Sequence, residues 1–455
     1  MIQVRYTRML LDAVILGAGP AGLAVANAMT RRGAATRVIE PSKRVGGSIR
    51  TVRDDGWLVE TGPNTLQLEG PEDAALLAAY GLSEHVQSAD MRAARRFIFA
   101  RGKLHGLGAN PLSLFASDLL SWRGRLRLLA EPFVRRGGAP GETVEAFATR
   151  RFGAEAAAML MDPVVSGVHA GDPSRLVMSA CFPKVQAMEA TYGSVLRGLL
   201  RGPRAARQVV GFPQGMQQLA EAMAAPLRAE SLRLGCVTTS LRRDRHGWQV
   251  AWRGADGSEE GATARHLVVT APSWQWASLP FDETVAPMLR AWEHGSAPPV
   301  TVVARGYARA DVPHALDGFG YLTPGGEGRE VLGCLFPSSV LPERAPDDAV
   351  LLCCFIGGAR RPELARRTDA ELRVLVDREL SETLGIRSAP RKEWIQRWDP
   401  AIPQYDGGQG RREEALARAE AAHPGLRFHG AFRGGISLMH AIRGGDALGR
   451  EIAGG

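Results

Sequence analysis

The strongest constraint on this chain lies near its start, where the apolar run Ala13-Val14-Ile15-Leu16 leads straight into Gly17-Ala18-Gly19-Pro20-Ala21-Gly22. Such a run reads as a buried parallel strand. Leu23, Val25, Ala26 and Met29 then recur at the spacing of one helix face, up to a turn at Gly33. The sequence therefore predicts strand, glycine turn and helix. Gly17 permits the tight turn, Gly19 lets the backbone approach a pyrophosphate, and Gly22 lets helix pack on strand. Pro20 and Ala21 open the helix, whose N-terminus faces the anion. A second strand, Thr36 to Ile39, ends in Glu40, close to the offset of ~20 residues at which an acid meets a ribose hydroxyl. Together these features predict a bound dinucleotide, which a lone glycine motif would not.

The next residues narrow the ligand. Pro41-Ser42-Lys43-Arg44-Val45-Gly46-Gly47-Ser48 forms a second glycine turn, which an NAD-binding unit does not require. Paired glycines beside basic residues offer amides and charge to the same pyrophosphate from its other side; the alternative is a surface hairpin. Gly56 to Glu60 supplies another strand, followed by a rigid turn at Gly62-Pro63-Asn64-Thr65.

Composition excludes several classes. At 455 residues, 45% hydrophobic and 23% charged, the chain is globular with two to three domains, not disordered or fibrous. Its charge of +8, carried almost wholly by arginine, permits nucleic acid, acidic lipid, or a carboxylate or phosphate ligand. Nucleic acid is not expected, because the arginines are dispersed rather than interleaved with aromatics. Five cysteines without a CxxC pair and ten scattered histidines offer no metal site. Asp12 interrupts the apolar stretch after Arg5 and Arg8, which then runs directly into the glycine motif, so a secretory signal is not expected. No apolar run of ~20 residues predicts a spanning helix. No nucleophile triad or carboxylate pair is visible, so catalytic side chains are not expected.

These turns resemble the flavin-containing amine oxidase superfamily. Glu60 to Leu66 is similar to the protoporphyrinogen oxidase family within it. So are Asp162 to Pro173, which resembles a family loop of the form VSGVYAGDP, Cys181-Phe182-Pro183-Lys184, Gly211 to Met216, and Ile402-Pro403-Gln404-Tyr405. The resemblance runs in order from about residue 12 to the end. It implies an α/β (α+β mixed) architecture: a Rossmann-like FAD-binding domain, discontinuous over 1–75, 205–290 and 395–455. A substrate-binding domain is inserted over 76–90, 180–204 and 291–394, with a helical, membrane-binding region over 91–179.

It also implies FAD as cofactor, held by Gly17, Gly19, Pro20, Ala21, Gly22, Glu40, Pro41, Ser42, Arg44, Gly46, Gly47, Ser48, Gly62, Pro63, Asn64 and Thr65. Val237 would meet the adenine, and Gly430, Ile436, Ser437 and Leu438 would form a C-terminal turn at the flavin. Strands at Leu232 to Val237, Trp248 to Trp252, His266 to Thr270 and Arg427 to Gly430 are expected, with a helix from about Met439. That helix N-terminus would favour negative charge on reduced flavin. Two departures stand out. Asp406-Gly407-Gly408-Gln409 replaces a segment where the family carries a histidine, and Met439-His440 replaces an Asn-Asp or Pro-Asp pair. His440 reads either as a flavin-proximal proton donor or as a cap.

On the substrate side the resemblance implies a tetrapyrrole. Arg96 would grip a propionate, Leu322 and Phe355 would clamp the ring from opposite faces, and Gly167 to Gly171 would shape the pocket. The implied reaction removes six hydrogens from protoporphyrinogen IX by hydride transfer to flavin N5, with molecular oxygen as acceptor. Coproporphyrinogen III oxidation, an amine oxidase or desaturase, and a flavin-free Rab-escort-like chaperone are the alternatives. Between 110 and 136, Leu112, Leu114, Phe115, Leu119 and Leu120 precede Trp122, Leu126, Leu129 and Phe133, the last four on one helical face away from most arginines. This stretch reads either as a packed amphipathic helix or as an interfacial one. The expected setting is cytoplasmic, with or without peripheral attachment at the inner face of the plasma membrane, as monomer or homodimer.

Overall fold

The computed structural model of the chain describes residues 5–108, 117–202, 207–293 and 295–454. Strands β1 (Arg5–Leu16) and β2 (Thr36–Glu40) run parallel and are joined by helix α1 (Pro20–Thr30). Every residue of β2 is buried, as a parallel strand covered on both faces requires. β2 pairs in parallel with Leu232–Leu234, and β1 with Glu259–Val269, whose far end pairs with Leu426–Phe428. An antiparallel meander of Val237–Asp244, Gly247–Arg253 and Glu259–Val269 completes this sheet. Three stretches of chain far apart in sequence thus build one layer; the expected strands lie in it, except that the one expected over Leu232 to Val237 is divided at Gly235 and Cys236, its parts pairing at different edges.

The second sheet is antiparallel except at one pairing. It contains β3 (Arg96–Ala100), β4 (Gly320–Leu322), β5 (Val331–Leu335) and β6 (Ala349–Gly357), in the order β6, β5, β4, β3. Val300–Ala308 and Lys392–Trp398 extend it beyond β6, and Lys103–Leu107 beyond β3. Phe97, Phe99, Tyr321 and Cys354 on one face share a core with Leu372, Leu375, Val376 and Leu380 of helix Asp369–Leu384. That helix begins in a capping box of Thr368 and Glu371.

The packing departs from the expected boundaries in three places. Residues 96–107, expected in the helical region, form the edge hairpin of the second sheet because Phe97 and Phe99 have that core to fill. Leu77, Tyr80 and Leu82, expected on the substrate side, bury against the core of β1 and α1. Lys392–Trp398 crosses the expected boundary at 394/395 and stays in the second sheet.

The helical part includes α2 (Trp122–Leu129) and α3 (Asp162–His169). Its centre is the fully buried Arg151, which binds the Glu131 carboxylate and the carbonyls of Val134 and Gly193. Glu131 also accepts from the Val195 and Leu196 amides, so each buried charge has several partners.

The last helix, α4 (Leu438–Gly454), lies parallel to α1. A Cβ at Gly445 would come 2.6 Å from the Ala21 carbonyl, and one at Gly449 2.6 Å from that of Val25. Glycines there let the two backbones touch, with both N-termini at one end. The register starts α4 about one turn, ~5 Å, farther out than α1.

Candidate functional site

The two N-terminal glycine turns pack back to back. Gly17 has φ +107°, and a Cβ on Gly22 would lie 2.0 Å from the Gly17 carbonyl oxygen, so both positions exclude a side chain. The Gly46 amide donates to the Ala18 carbonyl at 2.8 Å, and Gly47 sits against Gly19. The first-turn amides of α1 have no partners within the helix and point out of this crevice, which suits a pyrophosphate.

Glu40 accepts from the Ala18 and Ser42 amides, each at 2.8 Å, and keeps lone pairs for a ribose hydroxyl. The Gly235 amide bonds to the Ser42 carbonyl and the Cys236 amide to that of Glu40, which sets the exposed Val237 beside Pro41 at the same end. Arg44 differs from expectation. Its guanidinium donates to the carbonyls of Val45, Gly47 and Ile49, so it closes its own turn and lends only charge to an anion.

The turn at Gly62 to Thr65 abuts Ser48, whose carbonyl lies 1.9 Å from where a Gly62 Cβ would stand. Asn64 donates to the Gly62 carbonyl, but its buried Oδ1 has no partner, an orphaned acceptor that a ligand N–H would satisfy. Glu60, just before the turn, was not singled out from sequence. Its carboxylate accepts from the Met216 amide and the Thr51 hydroxyl, each at 2.7 Å, and burial pushes its pKa up to about 7. A small cavity beside it is lined by Asn64, Thr65, Phe319, Leu335, Leu341 and Arg344, and so joins the turn to the second sheet.

At the C-terminal turn, Gly430, Gly434 and Gly435 all have positive φ. Ser437 Oγ accepts from the His440 amide and so caps α4, with Ile436 before it and Leu438 opening the helix. The His440 ring lies against Gly434 and Gly435, and burial lowers its pKa. Its backbone takes part in the cap.

The pairing of the second sheet brings the substrate-side residues onto one face. Leu322 of β4 is level with Ile98 of β3 and Gly333 of β5, and Gly333 is level with Phe355 of β6. Strand alternation adds Arg96 and Leu335 to that face. Leu322 and Phe355 therefore do not oppose each other across a pocket. They stand side by side, two strands and about 10 Å apart, with Gly333 leaving a gap between them.

Helix α3 covers this face, and a Cβ on Gly167 would lie 2.4 Å from Leu322. Asp162 at the start of α3 pairs with Arg360 and accepts from the Gly325 amide, and the Ala359 amide donates to the Ala170 carbonyl. These contacts clasp α3 to the ends of β4 and β6. Gly171 packs on Leu176 and Gln404, away from Leu322. His169 is buried against Phe182, and burial pushes its pKa down to about 4, so it is neutral near pH 7.

Arg95 pairs with Asp317, whereas Arg96 has no carboxylate partner among the described residues. Its guanidinium lies 5.1 Å from the Phe319 ring centre and meets only the Ala94 carbonyl, at 3.4 Å. The side chain stays open to solvent, yet the protein around its head desolvates it enough to lower its pKa.

The apolar side of α2 and of the turn that follows it is exposed. Trp122, Leu126, Leu129 and Phe133 are 66%, 56%, 52% and 84% exposed, so they do not form a packed amphipathic face. Arg125 and Arg127 turn inward onto backbone carbonyls. Leu119 and Leu120 of the same stretch are instead buried in apolar clusters, and Leu112, Leu114 and Phe115 lie outside the described residues. No described helix is long and apolar enough to cross a membrane, and no described cluster of His, Cys, Asp or Glu could hold a metal.

Fold and turns define a dinucleotide-binding protein that joins a mixed sheet with a parallel centre, a glycine crevice and two parallel helices to a second sheet. Residues 20–442 match the family of flavin containing amine oxidoreductases, and the chain belongs to that family. It is therefore an FAD-dependent oxidoreductase. It is 34% identical to the chloroplastic protoporphyrinogen oxidase of Nicotiana tabacum, over 98% of this chain and 86% of that one. It is 31% identical to the Bos taurus protoporphyrinogen oxidase, over 97% and 98%. Among solved structures, a candidate protoporphyrinogen oxidase from Exiguobacterium sp. superposes with a TM-score of 0.81 at 20% identity, covering 98% of this chain and 99% of that one. Reduced UDP-galactopyranose mutase superposes with a TM-score of 0.74 at 17% identity, covering 98% and 96%.

Proposed function

We propose that the chain oxidises protoporphyrinogen IX to protoporphyrin IX, with molecular oxygen as final acceptor. The observation that carries this reading is the shared sheet face, on which Arg96, free of any described carboxylate, stands beside the apolar Leu322, Leu335 and Phe355. A tetrapyrrole is broad and apolar with carboxylates at one edge, and such a face complements it. Arg96 would fork onto one propionate and stay charged while doing so.

Bound FAD supplies the two-electron acceptor and passes electrons on to oxygen. The chain's own part is to bind, orient and exclude water. Gly17, Gly19, Pro20, Ala21, Gly22, Gly46, Gly47 and Ser48 would take the pyrophosphate, and Glu40, Pro41, Ser42 and Val237 the adenosine end. Gly62 to Thr65 and Gly430 to Leu438 would bracket the ring. The two sheets would act as the FAD-binding and substrate-binding units. Burial keeps His169 neutral near the substrate wall, and the chain's contribution to the step is orientation.

Coproporphyrinogen III remains the second reading. It brings four carboxylates to a face where Arg96 alone was assigned to grip one, while Arg95 and Arg360 are already paired with Asp317 and Asp162. The test is to offer anaerobically prepared protoporphyrinogen IX and coproporphyrinogen III in parallel, following porphyrin fluorescence and oxygen uptake. Faster turnover of protoporphyrinogen IX is expected. Faster coproporphyrinogen turnover reverses the substrate assignment, and turnover of neither ends it. The exposed face of α2, with Leu199 and Leu200 of the adjoining helix also exposed, supports peripheral attachment to an anionic membrane.

A further inference from the structure

We propose that Tyr405 is a positioning residue that sets the flavin-facing turn relative to the substrate wall, with Gln404 holding the other end of the same bracket. This rests on the reading that the turn at Gly430 to Leu438 meets the flavin. Tyr405 is 2% exposed, and its hydroxyl spans the turn: it donates to the Ala431 carbonyl at 2.7 Å and accepts from the Gly435 amide at 2.9 Å. Both roles of the phenol are filled. Burial pushes its pKa up, so it remains a donor at any working pH.

The neighbouring side chain reaches the opposite way. Gln404 Nε2 donates to the His169 carbonyl at 2.8 Å, at the end of α3, and the Val177 amide donates to the Tyr405 carbonyl at 2.8 Å. Two consecutive residues thus tie the turn that caps α4 to the helix that covers Leu322.

On one side the turn is packed: Phe432 is buried against Trp276 and Trp292, and its carbonyl accepts from Gln409. A cavity of about 530 Å³, lined in part by Val177, Ala180, Pro183, Gln409 and Gly434, opens directly beside Tyr405. On the cavity side, with space instead of packed side chains, the two hydrogen bonds of Tyr405 hold Ala431 and Gly435 in place. A shift of a fraction of an ångström would then change how α4 presents its N-terminus, and so the electron affinity of the flavin.

The test compares wild-type, Tyr405→Phe and Gln404→Leu holoenzymes by FAD content, flavin absorption spectrum, flavin midpoint potential and steady-state kinetics with protoporphyrinogen IX. Tyr405→Phe should keep its FAD, shift the spectrum and potential, and lower kcat about ten-fold with KM within about two-fold, since misplaced reacting groups cost rate more than binding. Gln404→Leu should raise KM about five-fold and leave the potential unmoved, because it frees only the substrate-wall end. Tyr405→Phe with unchanged potential and kcat overturns the proposal. If that variant does not fold, Gln404→Leu decides: an unchanged KM, or a shifted potential, overturns the proposal. A wild-type protein that lacks FAD or oxidises neither porphyrinogen defeats the reading of the site itself, an outcome separate from either variant result.

Discussion

Arg95 and Arg96 are neighbours with different circumstances: one is held by Asp317 at 2.5 Å, the other meets a carbonyl and an aromatic face. Replacing Arg96 by Ala should raise KM at least about ten-fold while kcat stays within about three-fold, because a forked carboxylate contact is mostly uniform binding. Arg96→Lys should recover only part of the loss, since an ammonium offers a point charge and no fork. Steady-state kinetics check both, and an unchanged KM in Arg96→Ala removes that residue from the site. Glu60 gives a pH test. Its carboxyl binds a proton more tightly in the folded chain, with a pKa raised from 4.5 to about 7 by burial. Stability from this group is thus present below about pH 4.5 and lost as pH rises to about 7, on the order of 3 kcal/mol in all. Glu60→Gln removes that dependence, so its melting temperature relative to wild type should climb between pH 5 and pH 8. A constant difference across that range contradicts the assignment. The resemblance singles out Arg96, but no local pattern shows that Arg95 is paired or that Glu60 is buried, because Asp317 and Met216 come from segments far along the chain.

Among elements, α1 and α4 touch backbone to backbone beside the cofactor crevice. Gly445→Val would drive a side chain into the Ala21 carbonyl, at a cost of about 3 kcal/mol of overpacking. A lower melting temperature and less co-purified FAD are expected, and an unaltered FAD content would show that the helices can part without loss. The exposed face of α2 makes a second element-scale prediction. Leu126→Glu combined with Phe133→Glu should abolish sedimentation with anionic vesicles and leave turnover of detergent-dispersed substrate unchanged; persistent sedimentation refutes the membrane role. Elements differed in how readily sequence disclosed them. The strand, glycine turn and α1 were legible because everything that defines them lies within about twenty residues. The common face of Arg96, Leu322 and Phe355 was not, although alternation along each strand was plain. Which strands are neighbours depends on β5, which carries no motif, and so Leu335 and the gap at Gly333 went unnoticed and the two apolar residues were expected to oppose each other.

At the scale of the whole molecule, the crevice is bounded by segments from near residue 17, 40, 62, 237 and 430, so a ligand filling it would cross-link distant parts of the chain. FAD added to protein stripped of it should therefore raise the melting temperature, by about 4 kcal/mol of stabilisation at a thousand-fold excess over Kd. Calorimetry with and without FAD measures this, and a concentration-independent midpoint would mean the chain does not gain its order there. The dinucleotide fold was readable from one end of the chain, whereas the division into layers was not. Residues 96–107 and the segment around Leu77 went to layers other than those expected because their apolar side chains had cores to fill that no local pattern reveals.

The parallel pairing of α1 with α4 also has a consequence for biosynthesis. At ribosomal speeds of about 5–20 residues per second, α1 emerges roughly 20–90 s before the helix that covers it. For that interval Ala21, Ala24, Val25 and Ala28 have no α4 against them, and the nascent chain carries a crevice with one wall missing. Capture of a cofactor between the two helices must therefore wait until α4 has emerged, and whatever shields α1 until then determines how much of the chain reaches its working form.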